Sequence, residues 1–134
     1  RSMGVDVFDD LIDHSYDSQP NQKIRLEMFF NQIVKLNNSK EDLAASGAAN
    51  LAVTTSYFST AAAETATLAA GTEGQVKVFA MYADSGDMVI TVTNAGWQSS
   101  GTGTITFDTI GDSCTLMYIN SKWFAIGANG VAFA

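Results

Sequence analysis

The fold is decided by the stretch Val76-Lys-Val-Phe-Ala-Met-Tyr-Ala-Asp-Ser-Gly-Asp-Met-Val-Ile-Thr-Val-Thr93. Its apolar residues recur at every second position, and a period of two predicts β-strands. The strand from Val76 to Tyr82 is apolar at both sets of positions, which indicates a central place in a sheet. The Asp84–Asp87 segment between the two strands predicts a hairpin turn, in which Gly86 would take a positive φ.

The same pattern continues to the end of the chain. Short alternating segments cover residues 57–59, 104–108, 114–118, 123–127 and 131–133, and most of the glycines lie between them. Asn120-Ser121 predicts a two-residue hairpin turn, and Gly111-Asp112 another turn. Strands separated by turns at roughly ten-residue intervals predict a mostly β domain over about residues 51–134. We expect an antiparallel β-sandwich, a jelly-roll-like domain or a small barrel.

Residues 1–50 follow a helical period instead and predict an α-helical N-terminal region for attachment or oligomerisation. Pro20 favours a helix start, and the segment 21–38 carries one broad apolar stripe. The stripe consists of Leu26, Phe29, Phe30, Ile33 and Leu36. The acidic segment 5–17 predicts a short helix, or an arm that orders in a partner groove. Ser39-Lys-Glu-Asp42 resembles a capping box, so we expect a second short helix that ends at Gly47.

Composition narrows the classes of partner. The 134 residues carry a net charge of −7 and no basic stripe, which argues against nucleic acid because phosphate binding needs clustered Lys and Arg. No apolar run approaches the roughly 18 residues of a membrane span, and no signal segment opens the chain. We interpret Arg1-Ser2-Met3-Gly4 as a cloning scar before a natural Met3 or as a product of processing, and we exclude it from the fold prediction. Only 16% of residues are charged, so we expect surface buried against another copy or a partner.

No catalytic residue, cofactor or metal site is predicted. His14 is the only histidine, and it lies far in sequence from the Ser-rich stretches that a Ser–His–Asp arrangement would need. Cys114 is the only cysteine, which excludes an intrachain disulfide and a zinc site built on thiolates. Because Cys114 alternates with Leu116 and Tyr118, we expect it to be a buried, unreactive side chain.

Pairs of acidic residues flank two predicted turns, Asp84 with Asp87 and Asp108 with Asp112. Aspartate is common at turn tips because its side chain hydrogen-bonds the nearby backbone. Carboxylate pairs for glycoside hydrolysis and a calcium site at Asp84 and Asp87 are the less favoured interpretations. Gly101-Thr-Gly103 lacks the lysine and the helix of a phosphate-binding loop, so it predicts a bulge or turn.

The two tryptophans are expected in different settings. Trp123 lies within an apolar segment and predicts a core residue. Trp97 precedes the polar loop Gln98-Ser99-Ser100. It is expected to cap one end of the β-core, or to form an exposed anchor for a sugar or a protein.

Residues 68–134 resemble a β-module that recurs in virion proteins of tailed phages: head fibres, capsid decoration proteins and some tail fibres. The matching elements are Leu68–Val76, Gly86–Asn94, Gly103–Phe107 and, most distinctive, Ile110-Gly-Asp-Ser-Cys-Thr-Leu-Met-Tyr-Ile-Asn-Ser-Lys-Trp-Phe-Ala-Ile-Gly-Ala-Asn-Gly130. The resemblance covers about half of the chain. It implies a non-enzymatic structural domain, commonly trimeric, displayed on the surface of a virion.

Three functions follow as expectations. The first is a homotrimeric capsid decoration (cement) or head-fibre protein on the phage head, bound to the major capsid protein or another virion protein. Its partner-binding anchors would be Phe8, Leu11, Phe29 and Phe30. The second is a receptor- or carbohydrate-binding module of a tail fibre, in which Trp97 and the loops around Ser85 and Ser100 would form the recognition surface. The third and least favoured is a polysaccharide depolymerase.

Overall fold

The computed structural model describes residues 25–28 and 39–134. Residues 25–28 form a helical turn within the predicted helix, and residues 39–134 form a separate unit. This unit begins earlier in the chain than the predicted boundary near residue 50. The acidic arm, His14 and the expected anchors Phe8, Leu11, Phe29 and Phe30 lie outside the described residues.

Residues 39–134 contain nine strands in two sheets, which confirms the mostly β prediction. The strands are β1 (Lys40–Asp42), β2 (Thr55–Ser59), β3 (Glu64–Leu68), β4 (Val76–Ala83), β5 (Met88–Thr93), β6 (Thr102–Phe107), β7 (Ser113–Ile119), β8 (Lys122–Asn129) and β9 (Ala132–Phe133). The five-stranded sheet has the order β1-β2-β4-β7-β8, and the four-stranded sheet has the order β3-β5-β6-β9.

The first half of this unit winds through both sheets. Strands β1, β2 and β4 are parallel neighbours in the five-stranded sheet, and β3 and β5 are parallel neighbours in the four-stranded sheet. Ala48 lies beside β3 in a parallel bridge to Thr67, so the chain between β1 and β2 also visits the second sheet. From β2 to β5, each strand is therefore followed by one in the opposite sheet, as in the coils of a parallel β-helix.

This winding corrects the prediction of an antiparallel sandwich, because three of the seven pairings between these strands are parallel. The Asp84–Asp87 segment is a crossover between the sheets and not a hairpin turn, since β4 and β5 do not pair. Gly86 does not take the expected positive φ. Lys40–Asp42 is strand β1, so the second short helix is absent. Strand β3 was not predicted.

The second half is antiparallel. Strands β5 and β6 pair through six residues, β4 pairs with β7, and β7 pairs with β8. Asn120 and Ser121 both have positive φ, 51° and 65°, which confirms the predicted turn as a tight hairpin of the primed type. The Glu73 carboxylate accepts hydrogen bonds from the N–H groups of Asn120 (2.8 Å) and Ser121 (2.6 Å). This contact holds the tip of the hairpin against the preceding turn.

One hydrophobic core lies between the sheets. It is built from inward side chains of both sheets and from Leu43, Ala49 and Ala95 in the connections; the strand residues are Phe58, Ala66, Leu68, Phe79, Met81, Met88, Ile90, Val92, Ile105, Phe107, Cys114, Leu116, Tyr118 and Trp123. Phe58 from one sheet meets Phe107 from the other edge to face, with ring centroids 5.0 Å apart. The predictions that Cys114 and Trp123 are buried are confirmed, at 3% and 0% exposure.

We expect Gly86→Ala to destabilise this unit, because the crossover passes directly against the backbone of Ala62. A Cβ on Gly86 would lie 2.2 Å from the carbonyl carbon of Ala62, and backbone atoms cannot move aside cheaply. The free energy of unfolding should fall by about 1–3 kcal/mol in a urea titration. Gly127→Ala is the matched control, since a Cβ there meets nothing within 4 Å. Equal stability of the two variants would contradict this close approach.

Candidate interaction surfaces

The outward side of the five-stranded sheet is largely apolar; we call it the apolar face. Its apolar side chains are Tyr57, Val76, Val78, Ala80, Tyr82, Met117, Ile119 and Phe124, and Thr55, Ser113 and Thr115 lie among them. They arise from the alternation in each strand, in which every second residue points away from the core. The middle residues are half-buried among their neighbours, whereas Tyr82 is 50% and Phe124 39% exposed.

Cross-strand pairing arranges the apolar face in rows. Phe124 pairs with Met117 and Met117 with Val76, so three apolar residues adjoin across β8, β7 and β4. At the other end of the face, the rings of Tyr57 and Tyr82 meet edge to face at 5.3 Å. Charged side chains are confined to the margins: Lys40 and Asp42 on β1, and Lys122 at the start of β8. Aromatic residues and methionine are enriched at protein interfaces, and charged residues are depleted from their centres.

The outward side of the four-stranded sheet has a different composition; we call it the threonine face. It consists of Thr65, Thr67, Thr91, Thr93, Thr102, Thr104 and Thr106, with Val89 among them. Thr67 pairs with Thr91 and Thr91 with Thr104, which places three hydroxyl-bearing residues in one row across β3, β5 and β6. Threonine suits an exposed strand position because its branched side chain packs well on the pleated surface. Neither broad face carries a charge at its centre.

Trp97 packs against the end of the β-core, in the connection between β5 and β6. Its ring meets Phe133 edge to face at 4.9 Å, and its indole N–H donates to the carbonyl oxygen of Ala134 at 3.0 Å. Gly103 leaves room for the indole, because a Cβ there would lie 2.6 Å from Trp97 Nε1. The indole N–H of Trp97 is thus hydrogen-bonded within the protein.

The aspartates singled out from the sequence do not form a carboxylate pair across a cleft. Asp112 is buried, and its Oδ2 accepts hydrogen bonds from the N–H groups of Asp108 (2.9 Å) and Thr109 (3.1 Å). Asp84 Oδ1 accepts one from the N–H of Gly86 at 3.0 Å. Both side chains shape the backbone of their own segment, as is common for aspartate in turns.

Sequence reasoning missed the fully buried Lys77. Its Nζ donates to the carbonyl oxygens of Asn50 (2.8 Å) and Val53 (2.9 Å), and it lies 4.0 Å from Glu41 Oε2. Burial lowers the pKa of Lys77 to about 8, because the charged amine loses solvation, and Glu41 offsets part of this effect. The signal was present in the sequence: Lys77 shares the period-two set of Phe79 and Met81 on the core side of β4.

Glu41 connects this lysine to the loop that precedes β2. Its Oε2 accepts hydrogen bonds from the Ser56 hydroxyl and from the N–H of Asn50, the latter at 2.7 Å. Lysine and carboxylate therefore hold the loop around residues 50–53 in one conformation. Within residues 39–134, the side-chain hydrogen bonds of Lys77 and Glu41 go to this loop or to strand β2. These contacts explain how the fold stabilises the buried charge of Lys77.

Within residues 39–134, the Cys114 thiol is a further potentially reactive group, and it is buried. Burial raises its pKa to about 12, which keeps it protonated and weakly nucleophilic at neutral pH.

Among residues 25–28 and 39–134, no three His, Cys, Asp or Glu side chains are grouped as metal ligands, and no helix is long and apolar enough to cross a membrane. No protein-family model matches this chain, and no curated protein matches its sequence.

The buried Lys77 predicts an unusual dependence of stability on pH. Its folded pKa, about 8, lies below the ordinary value of 10.5, so between these values the unfolded chain binds more protons than the folded one. Stability from this residue should therefore rise with pH over that interval, by up to about 1.4 kcal/mol per pH unit. We expect the free energy of unfolding of the wild type, minus that of Lys77→Met, to increase from pH 8 to pH 10.

The measurement is a guanidinium titration of both proteins at each pH. Subtracting the free energy of unfolding of Lys77→Met from that of the wild type removes the contribution of Cys114, which is present in both proteins. Lys122→Met, at the half-exposed start of β8, controls for the loss of one positive charge. A difference between wild type and Lys77→Met that stays constant or falls with pH would show that the amine is not buried as described.

Proposed function

We propose that this chain is a non-enzymatic structural protein of a tailed-phage virion. In this proposal it assembles as a homotrimer and binds the phage head as a capsid decoration or head-fibre protein. The observation that carries the proposal is the apolar face, a broad surface with no charge at its centre that presents Tyr57, Tyr82, Met117 and Phe124, which suits a protein partner. The resemblance of residues 68–134 to virion β-modules supports the choice of particle.

The polar groups of residues 39–134 are consistent with a structural role. The carboxylates of Glu41, Glu73 and Asp112 each accept two hydrogen bonds from the protein itself. A general acid or base must be within reach of a substrate proton, and these three groups are occupied in holding turns and loops. Of the four aspartates named for the enzymatic alternative, Asp112 is one of these three groups and holds its own turn.

The receptor- or carbohydrate-binding alternative uses Trp97 and the loops around Ser85 and Ser100 as its recognition surface. Because the indole N–H donates to Ala134 and the ring packs on Phe133, we favour the decoration or head-fibre role. The alternative remains one outcome of the following experiment.

The proposal predicts that the purified full chain adds to heads that lack it. Capsids would be prepared from the encoding phage after deletion of this gene, mixed with increasing amounts of protein and separated by sedimentation. We expect saturable binding, and threefold-related density on the head in an image reconstruction. Wild-type particles provide the reference copy number, and capsids that already carry the protein are the control for non-specific adsorption. Failure to bind heads together with saturable binding to host cells would replace this function by the receptor-binding one.

A further inference from the structure

We infer that the apolar face is the surface through which copies of this chain associate, so that a second copy covers the outward side of the five-stranded sheet. This inference deepens the proposed function, on whose homotrimer it rests, by assigning the contact to one of the two broad faces. It depends on four features of residues 39–134: charge distribution, composition, area and an open strand edge.

The charge distribution restricts where two copies can meet. Residues 39–134 carry three basic and eight acidic side chains (3 − 8 = −5). The acids lie at strand ends, turns and the edge strand β1: Glu41, Asp42, Glu64, Glu73, Asp84, Asp87, Asp108 and Asp112. Contact through these regions would bring like charges together, which opposes association. The two broad faces and the β8 edge carry none of these acids, so identical chains can approach there without this repulsion.

Composition distinguishes between the two faces. The apolar face presents Phe124, Met117, Tyr57 and Tyr82, which are residue types enriched at interfaces. The threonine face presents short side chains with hydroxyl groups, which water solvates well and which lack the large rings that dominate binding energy. The apolar face is therefore the one that gains more from being covered.

The area of the apolar face matches that of one side of a protein interface. Neighbouring strands lie about 4.8 Å apart, and each strand rises about 3.3 Å per residue. The four strands β2, β4, β7 and β8 therefore have a projected area of roughly 500 Å². The accessible area of an uneven surface exceeds its projection. A specific interface buries roughly 600–1,000 Å² on each partner, so one second copy is enough to cover the face.

Strand β8 continues the apolar face onto an open edge. The N–H and C=O of Trp123 bond to Asn94 and Gly96 in the loop after β5, but the described residues provide no further strand along the rest of this edge. Ile126, the extra residue at the irregularity in the β7–β8 register, is 56% exposed. A long apolar edge strand with a single charge, Lys122, promotes association with another chain. A second copy that covers Phe124 would shield Ile126 as well.

The test compares charged substitutions on the two faces of the full chain. Val78→Lys lies at the middle of the apolar face, between Thr55 and Thr115, and Phe124→Lys lies at its exposed rim. Thr91→Lys is the matched control, since it places the same charge at the middle of the threonine face. Sedimentation velocity over a concentration series would give the mass and dissociation constant of each protein, and circular dichroism would verify that each is folded. Phe124→Lys keeps the test decisive if Val78→Lys does not fold.

We expect an oligomeric wild type, a dissociation constant raised about tenfold or more by each substitution on the apolar face, and no change in Thr91→Lys. A monomeric wild type would overturn the inference. The inference would also be wrong if the folded apolar-face variants stayed oligomeric, since assembly would then depend on another part of the chain. A loss of oligomers in Thr91→Lys alone would contradict it as well. Head binding is measured separately, so a protein that associates through this face but does not bind heads would refute the proposed function and leave the inference intact.

Discussion

Phe58 and Phe107 meet in the hydrophobic core that the two sheets share. The rest of this structure depends on the constraint that both sheets bury their apolar side chains in this one core. Both rings are fully buried, and Phe79 adjoins the same cluster with its centroid 6.3 Å from that of Phe107. Each strand that crosses the core must therefore supply apolar side chains at alternate positions. The outward positions are free of this requirement, which is why the two broad faces differ so much in composition.

The same core explains the polar network around Lys77. An amine on the inward side of β4 loses its water on folding and is tolerated only if protein groups replace that water. The carbonyl groups of Asn50 and Val53 do so, and this requirement shapes the loop before β2. Glu41 then links that loop to the edge strand β1. One buried charge thus orders the region in which the winding of the chain through the two sheets begins.

In the proposed structural role, the protein would act through the area of its surfaces and not through a reactive group. Its carboxylates hold turns, its thiol is buried, and its largest uncharged surfaces lie on opposite sides of the molecule. If one face is covered by other copies, the opposite face stays in contact with solvent, where threonine hydroxyl groups maintain solubility without charge. The acidic turns between the faces would keep assembled copies from associating further, because like charges repel.

The sequence by itself determined which residues alternate between core and surface. The period of two located the central strand β4, the burial of Cys114 and Trp123, and the hairpin at Asn120-Ser121, because strand geometry and turn conformation depend on neighbouring residues. Only the tertiary structure decided which strands pair. The segment around Gly86 marks a change of direction, but whether the chain returns beside β4 or crosses to the other sheet depends on contacts with distant residues such as Ala62. For the same reason strand β3, short and rich in Ala and Thr, and the apolar face could be recognised only after the strands were assembled, since a surface combines residues that are far apart in the chain.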